Sequence, residues 1–231
     1  MIRTIFSSFF LAAALCLPGF PAAADRASED RQLLRAAENE FDNRVDLETP
    51  VLSQTPGRVR REGRKLVLTL SEGSDLVLTD EPQDKDCDDE PAACRVYILA
   101  ADLPSRHAIL VHMGYYEGGD WLLIDDRTGE RTLLPSVPHF SPEGERLFVS
   151  DIDLAYGDIG IAIWRREGRV WVKEWSLDSP FWYASFLAWE GDRIDLELWR
   201  DWTPDGKPID PWPATLTKDG SGWRMDTFPT K

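Results

Sequence analysis

Histidine is nearly missing from this chain: His107, His112 and His139 are the only three in 231 residues. With so few, neither a metal triad nor a Ser-His-Asp set can be argued. The G-x-S-x-G, S-x-x-K, P-loop and dinucleotide-binding patterns do not occur either. His107 and His112 stand five apart in an expected strand, which places them on opposite faces. Cysteine is scarce, with only Cys16, Cys87 and Cys94 and no C-x-x-C pair, which argues against thiol redox chemistry or a zinc site. Basic residues are in deficit: 26 Lys and Arg face 41 Asp and Glu, for a formal net charge of −15. An acidic surface repels phosphate groups, so nucleic acid and anionic lipid are excluded as partners. After Leu17 no apolar run approaches the roughly 20 residues that a membrane-spanning helix needs, so no stable membrane insertion is expected.

The N-terminus carries the clearest positive signal. Arg3 is the only charge before Asp25; an apolar run follows from Phe9 to Leu17 and is broken by Pro18-Gly19. Ala22-Ala23-Ala24 then fits the A-x-A pattern at which a signal peptidase cuts. Residues 1–24 therefore read as a secretory signal peptide, with cleavage near Ala24 and a periplasmic or secreted product. Cleavage removes Cys16 and leaves Cys87 and Cys94, separated by six residues. Two cysteines at short spacing in an oxidising compartment pair, and closing so small a loop contributes about 2–3 kcal/mol.

Three zones follow. Residues 25–45 carry Leu33, Leu34, Ala37 and Phe41 at helical spacing, with Ser28 as an N-cap and Glu29-Asp30 in the first turn. Residues 46–57 contain Pro50, Pro56 and Gly57 and read as a linker, so 25–57 forms an N-terminal helix with its linker. From residue 58 to 231 short apolar runs alternate with turn signals such as Glu72-Gly73, Glu143-Gly144, Glu190-Gly191 and Asp219-Gly220. That pattern predicts closely spaced antiparallel strands.

The strands also repeat. A first strand is expected at residues 66–70, 109–113, 147–152 and 194–198. A second follows at 76–78, 122–124, 161–164 and 214–216, and a third at 95–99, 131–134, 170–175 and 223–225. The period of about 40–45 residues is that of a propeller blade, a small meander that buries its faces by stacking on its neighbours. The local wording agrees over residues 120–150. Phe140-Ser-Pro-Glu-Gly-Glu-Arg-Leu-Phe-Val149 resembles the F-S-P-D-G-x-x-L-x-V stretch of WD-repeat-like and TolB-like propeller blades, and Ile124-Asp-Asp-Arg-Thr-Gly-Glu-Arg-Thr-Leu133 resembles their strand-turn-strand element. The resemblance implies an all-β fold: a small propeller-like array of about four antiparallel meander units behind a short N-terminal helix. A closed four-bladed ring, an incomplete propeller and an ordinary β-sandwich all fit these spacings.

The fold alone decides little about function, and the candidate sites are modest. Asp84, Asp86 and Asp88 alternate around Cys87 as in the opening of a calcium loop, but position six is Asp89 and position twelve Arg95, so the pattern departs from an EF-hand. Ca²⁺ is therefore a weak expectation, and no other cofactor or metal is expected. Nine of the ten tryptophans lie from Trp164 onward. Among them Trp202 and Trp212 flank a Pro-rich loop and, with Trp182 and Tyr183, offer aromatic faces to a ligand; Trp175, Trp199 and Trp223 sit in strands and read as packing residues. Asp151, Asp153 and Asp158 surround a loop, where carboxylates more often bond turns than cleave glycosides. The expected function is an exported, non-catalytic protein-interaction module whose blade loops hold an envelope protein. The alternative is a lectin-like module that binds glycan through the Trp-rich C-terminal loops.

Overall fold

The structure is a computed structural model and describes residues 23–40, 47–81, 94–115, 118–151, 160–178, 183–199, 211–220 and 222–227. Helix α1 spans Ala23–Glu40. It starts earlier than expected and places Ser28 inside the helix rather than at its cap, because alanine is the strongest helix former and extends the helix backward. Leu33 and Ala36 are buried, whereas Leu34 is 57% exposed and Phe41 lies outside the described residues. The expected linker contains a second helix, α2, at Glu48–Gln54. Its Pro50 signalled a break, but it sits in the first turn, where the missing N–H costs nothing.

Among the described residues fifteen strands form four sheets, each a run of strands paired antiparallel to their chain neighbours. The first sheet holds β1 (Val59–Glu62), β2 (Lys65–Thr69) and β3 (Asp75–Thr79). The second holds β4 (Val96–Leu103), β5 (Ala108–Tyr115), β6 (Gly118–Asp125) and β7 (Arg131–Leu134). The third holds β8 (His139–Phe140), β9 (Arg146–Asp151), β10 (Gly160–Glu167) and β11 (Val170–Asp178), and the fourth β12 (Tyr183–Glu190), β13 (Arg193–Trp199), β14 (Trp212–Asp219) and β15 (Gly222–Thr227). Every strand anticipated from the apolar runs is present, but the grouping needs correction. The expected first strands are β2, β5, β9 and β13, the second strand of each sheet. The run at 95–99, assigned to the first unit, is β4, which opens the second sheet.

The turns form as their residues require. Asp125 Oδ1 accepts the backbone N–H groups of Arg127 at 3.0 Å and Thr128 at 3.1 Å, and Gly129 takes φ +73°. At the next hairpin Ser141 Oγ accepts the Arg146 N–H at 3.2 Å.

The sheets stack so that three apolar seams alternate with them. The first seam joins Val59, Leu66, Leu68 and Leu78 of sheet one to Leu99, Ile109, Val111 and Ile124 of sheet two. The middle seam joins the opposite face of sheet two, with Leu110, Trp121 and Leu123, to Leu147 and Val149 of sheet three, and α1 enters it with Leu33 and Ala36. The third joins Phe148, Ile161 and Ile163 to Ile194, Leu196, Leu198 and Leu216 of sheet four. Strand β5 is apolar at successive positions because both of its faces are covered. The outward faces of the end sheets are polar. Arg60 bonds Asp75 at 2.8 Å and Glu62 at 2.7 Å on the first, and Arg193 bonds Asp195 at 2.8 Å on the fourth.

The free edge of β4 is closed by side chains. The N–H groups of Tyr97, Leu99 and Asp102 donate to Asp80 at 2.9 Å, Glu48 of α2 at 2.9 Å and Gln32 of α1 at 2.8 Å. Arg61 holds Glu48 and Asp80 in turn and donates to the Tyr97 carbonyl. An exposed edge would otherwise recruit a foreign strand.

Candidate functional site

A groove of about 630 Å³ opens where α1 meets the inner strands β8 and β12. One wall is α1, with Leu33 and Leu34; the facing wall is β12, with Phe186, Leu187 and Trp189; Phe140 and its flanking prolines form the floor. Two of the large apolar side chains exposed on this protein, Leu34 and Leu187, face solvent here at 57% each. The cause at Leu187 is local. The β12–β13 register shifts between Phe186 and Ala188, so the bulged residue turns out of the sheet.

Charge sits at the end of the groove where α1 begins. Arg106 lies 4.5 Å over the Phe140 ring and donates to Asp30 at 2.5 Å. Glu29 is 2% exposed and accepts from the Ser105 N–H at 2.8 Å and from its hydroxyl. Arg26 donates to the Pro142 carbonyl at 3.3 Å. His139 lines the groove stacked on Phe186, with centroids 4.1 Å apart and planes within 9°. Burial pushes its pKa down to about 4, so the ring is neutral near pH 7 and packs rather than titrates.

Behind the groove an ionic network ties α1 and three sheets together. Arg58, preceding β1, reaches Asp102 at 3.1 Å and Asp126 at 2.6 Å. Arg166 of β10 reaches Asp125 at 3.3 Å and the Arg106 carbonyl at 3.1 Å. Desolvation raises the Asp102 pKa to about 6 against the pull of Arg58. Desolvation also acts on Asp125, but hydrogen bonds from the Arg127 side chain and from the Arg127 and Thr128 backbone outweigh it and hold Asp125 at about 2. His107 is not in a strand as expected. It follows a 3-10 turn at Pro104–Arg106 with φ +51°, a left-handed position that His tolerates, and its Nδ1 lies 3.4 Å from Asp126. His112 is in β5 against Trp121, at 4.8 Å between centroids, and burial lowers its pKa.

The residues singled out from the sequence fall elsewhere. Trp182, Trp202, Asp84, Asp86, Asp88, Asp153, Asp158 and Cys87 lie outside the described residues. Tyr183 is 7% exposed and packs on Trp199 at 4.5 Å, and Trp212 packs against the third seam. Trp223 is buried and Trp175 packs on the same seam, as expected of packing residues, whereas Trp199 is half-buried and donates to Ser185 at 3.2 Å. Asp151 ends β9 opposite Gly160. Cys94 is 3% exposed and is not a free thiol. Among the described residues no group of three or more His, Cys, Asp or Glu side chains is placed to hold a metal, and no helix is long and apolar enough to cross a membrane. The groove itself was missed. Its signal was the Leu33-Leu34 pair, since a helix docking one stripe has no use for the second leucine. Set against protein-family models, curated proteins and solved structures, the chain matches none.

Proposed function

We propose that this chain is an exported, non-catalytic binding module, a propeller-like array whose groove between α1 and β12 holds an apolar, basic segment of another envelope protein. The successive stacked meanders support the propeller-like description, and the polar outward faces of the end sheets favour an open array over a closed ring. The buried, bonded state of Cys94 supports its pairing with Cys87. The observation that carries the functional reading is the pair Leu34 and Leu187, exposed on facing walls of one groove. Isolated exposed leucines are ordinary, but two across a groove form a patch. A chain of net charge −15 selects a basic partner through long-range attraction. The lectin-like alternative has less support, since Tyr183 and Trp212 are engaged in packing.

The test uses two amphipathic 18-residue helical peptides, one of Leu and Lys and one of Leu and Glu. The basic peptide should bind the full chain at least about tenfold more tightly. Leu34→Asp with Leu187→Asp should abolish that binding while the melting temperature holds. Equal binding by the double variant would remove the groove from the account.

A further inference from the structure

A second opening lies at the other side of the middle seam, between the outer strands of sheets two and three. Strand β11 has nine residues and β7 only four, so β11 overhangs its neighbour and leaves a strip of sheet three uncovered. The result is a cleft of about 360 Å³. Its apolar strip is Leu134, Pro135, Val149 and Ala162, on the middle-seam faces of the two sheets; its polar groups are Trp164, Lys173, Ser176 and Asp178. Asp178 stands opposite Gly160 at the start of β10. Lys173 pairs across from Trp164, four residues farther along β10, and its Nζ lies 5.5 Å from the indole centroid. The Asp178 carboxylate thus marks one end of the cleft and the Lys173 cation the other. The Trp164 indole N–H is buried and has no hydrogen-bond partner among the described residues, although an orphaned donor is costly.

We propose that this cleft binds short zwitterionic peptides, with the peptide carboxylate at Lys173 and Trp164 and the peptide ammonium at Asp178. Walls of both signs disfavour a ligand of one net charge. A sugar would need a free aromatic face, and the Trp164 ring is occupied by Lys173 and by the middle core. A single amino acid is too short. Lys173 and Asp178 are five positions apart on a bulged strand, about 15 Å, and an extended tripeptide spans about 10 Å, with the lysine side chain closing the difference. Pro135 and Ala162 receive the intervening side chain. Drawn to the carboxylate, Lys173 leaves the ring and opens the indole N–H to it.

The experiment is calorimetric titration of the full chain with tri-alanine, N-acetyl-tri-alanine, tri-alanine amide and cellotriose. Tri-alanine should bind, and each blocked form should bind at least about tenfold more weakly, the loss of one charge-assisted contact. Lys173→Met should erase the penalty for amidation and keep that for acetylation; Asp178→Asn should do the reverse. Both side chains are exposed, so both variants should melt with the wild type. Absence of tri-alanine binding at millimolar concentration, equal affinity for blocked and free peptides, or cellotriose binding that either variant abolishes would each overturn the proposal.

Discussion

The middle seam differs in kind from the two that flank it. The first is filled by the facing side chains of two sheets together with Val51 of α2, the third by those of two sheets, mostly Leu, Ile and Val with Phe148 and Trp223. The middle seam sets Ala100, Ala101, Ala108 and Ala162 among Leu103, Leu110, Trp121, Leu123, Leu147 and Val149, and its small residues leave space between the two sheets. Helix α1 fills part of it. The groove opens beside the helix and the cleft opens where β11 overhangs β7. The proposed binding sites both lie along the seam that the sheets do not close by themselves.

The sharpest way to break that contrast is to cut the ties around the middle seam. Arg58→Met leaves the carboxylates of Asp102 and Asp126, 7% and 1% exposed, without their shared partner. It should cost about 3–5 kcal/mol in denaturant unfolding, more than any change to the exposed Arg60 ladder on the first sheet.

The pH dependence sharpens the comparison next. The His139 folded pKa of about 4 lies below the ordinary 6.5, so the unfolded chain protonates first and stability falls as pH drops from 6.5 to 4. The Asp102 folded pKa of about 6 lies above 3.8, so the folded chain protonates first and stability rises as pH drops from 6 to 4. Each amounts to about 3 kcal/mol at most, and the two nearly cancel. Relative to wild type, His139→Phe should gain stability between pH 6 and 4, and Asp102→Asn should lose it. Melts across that window decide, and parallel profiles for all three proteins would count against the assignment.

A smaller effect tests the alanines. Ala101→Leu crowds the middle seam where α1 packs on β4 and should cost about 1–3 kcal/mol. A neutral result would mean that the seam has room to spare and that the helix does not seal it.

Much of the fold was legible before the structure. Apolar runs bounded by turn glycines mark β2, β5, β6, β9, β10 and β13, because these strands are buried on one or both faces. The phase of the repeat was not legible. The opening strands hide their pattern: β1 is Val-Arg-Arg-Glu, β8 has two residues, and β12 mixes Ser185 with Phe186 and Leu187. Helix α2 was hidden by Pro50. Glu29 read as a first-turn charge, yet it is buried and caps Ser105 from a distant element, a partner no local pattern discloses. The groove was not legible because its walls stand some 150 residues apart in sequence and meet only through sheet stacking.

The most direct test of the middle seam as the binding region is hydrogen exchange on the full chain with and without the Leu-Lys helical peptide. The account predicts slowed exchange in α1 around Leu33-Leu34 and in β12 around Phe186–Trp189, with β1 to β3 unchanged. Protection confined to the first sheet, or spread evenly over all four, would contradict it.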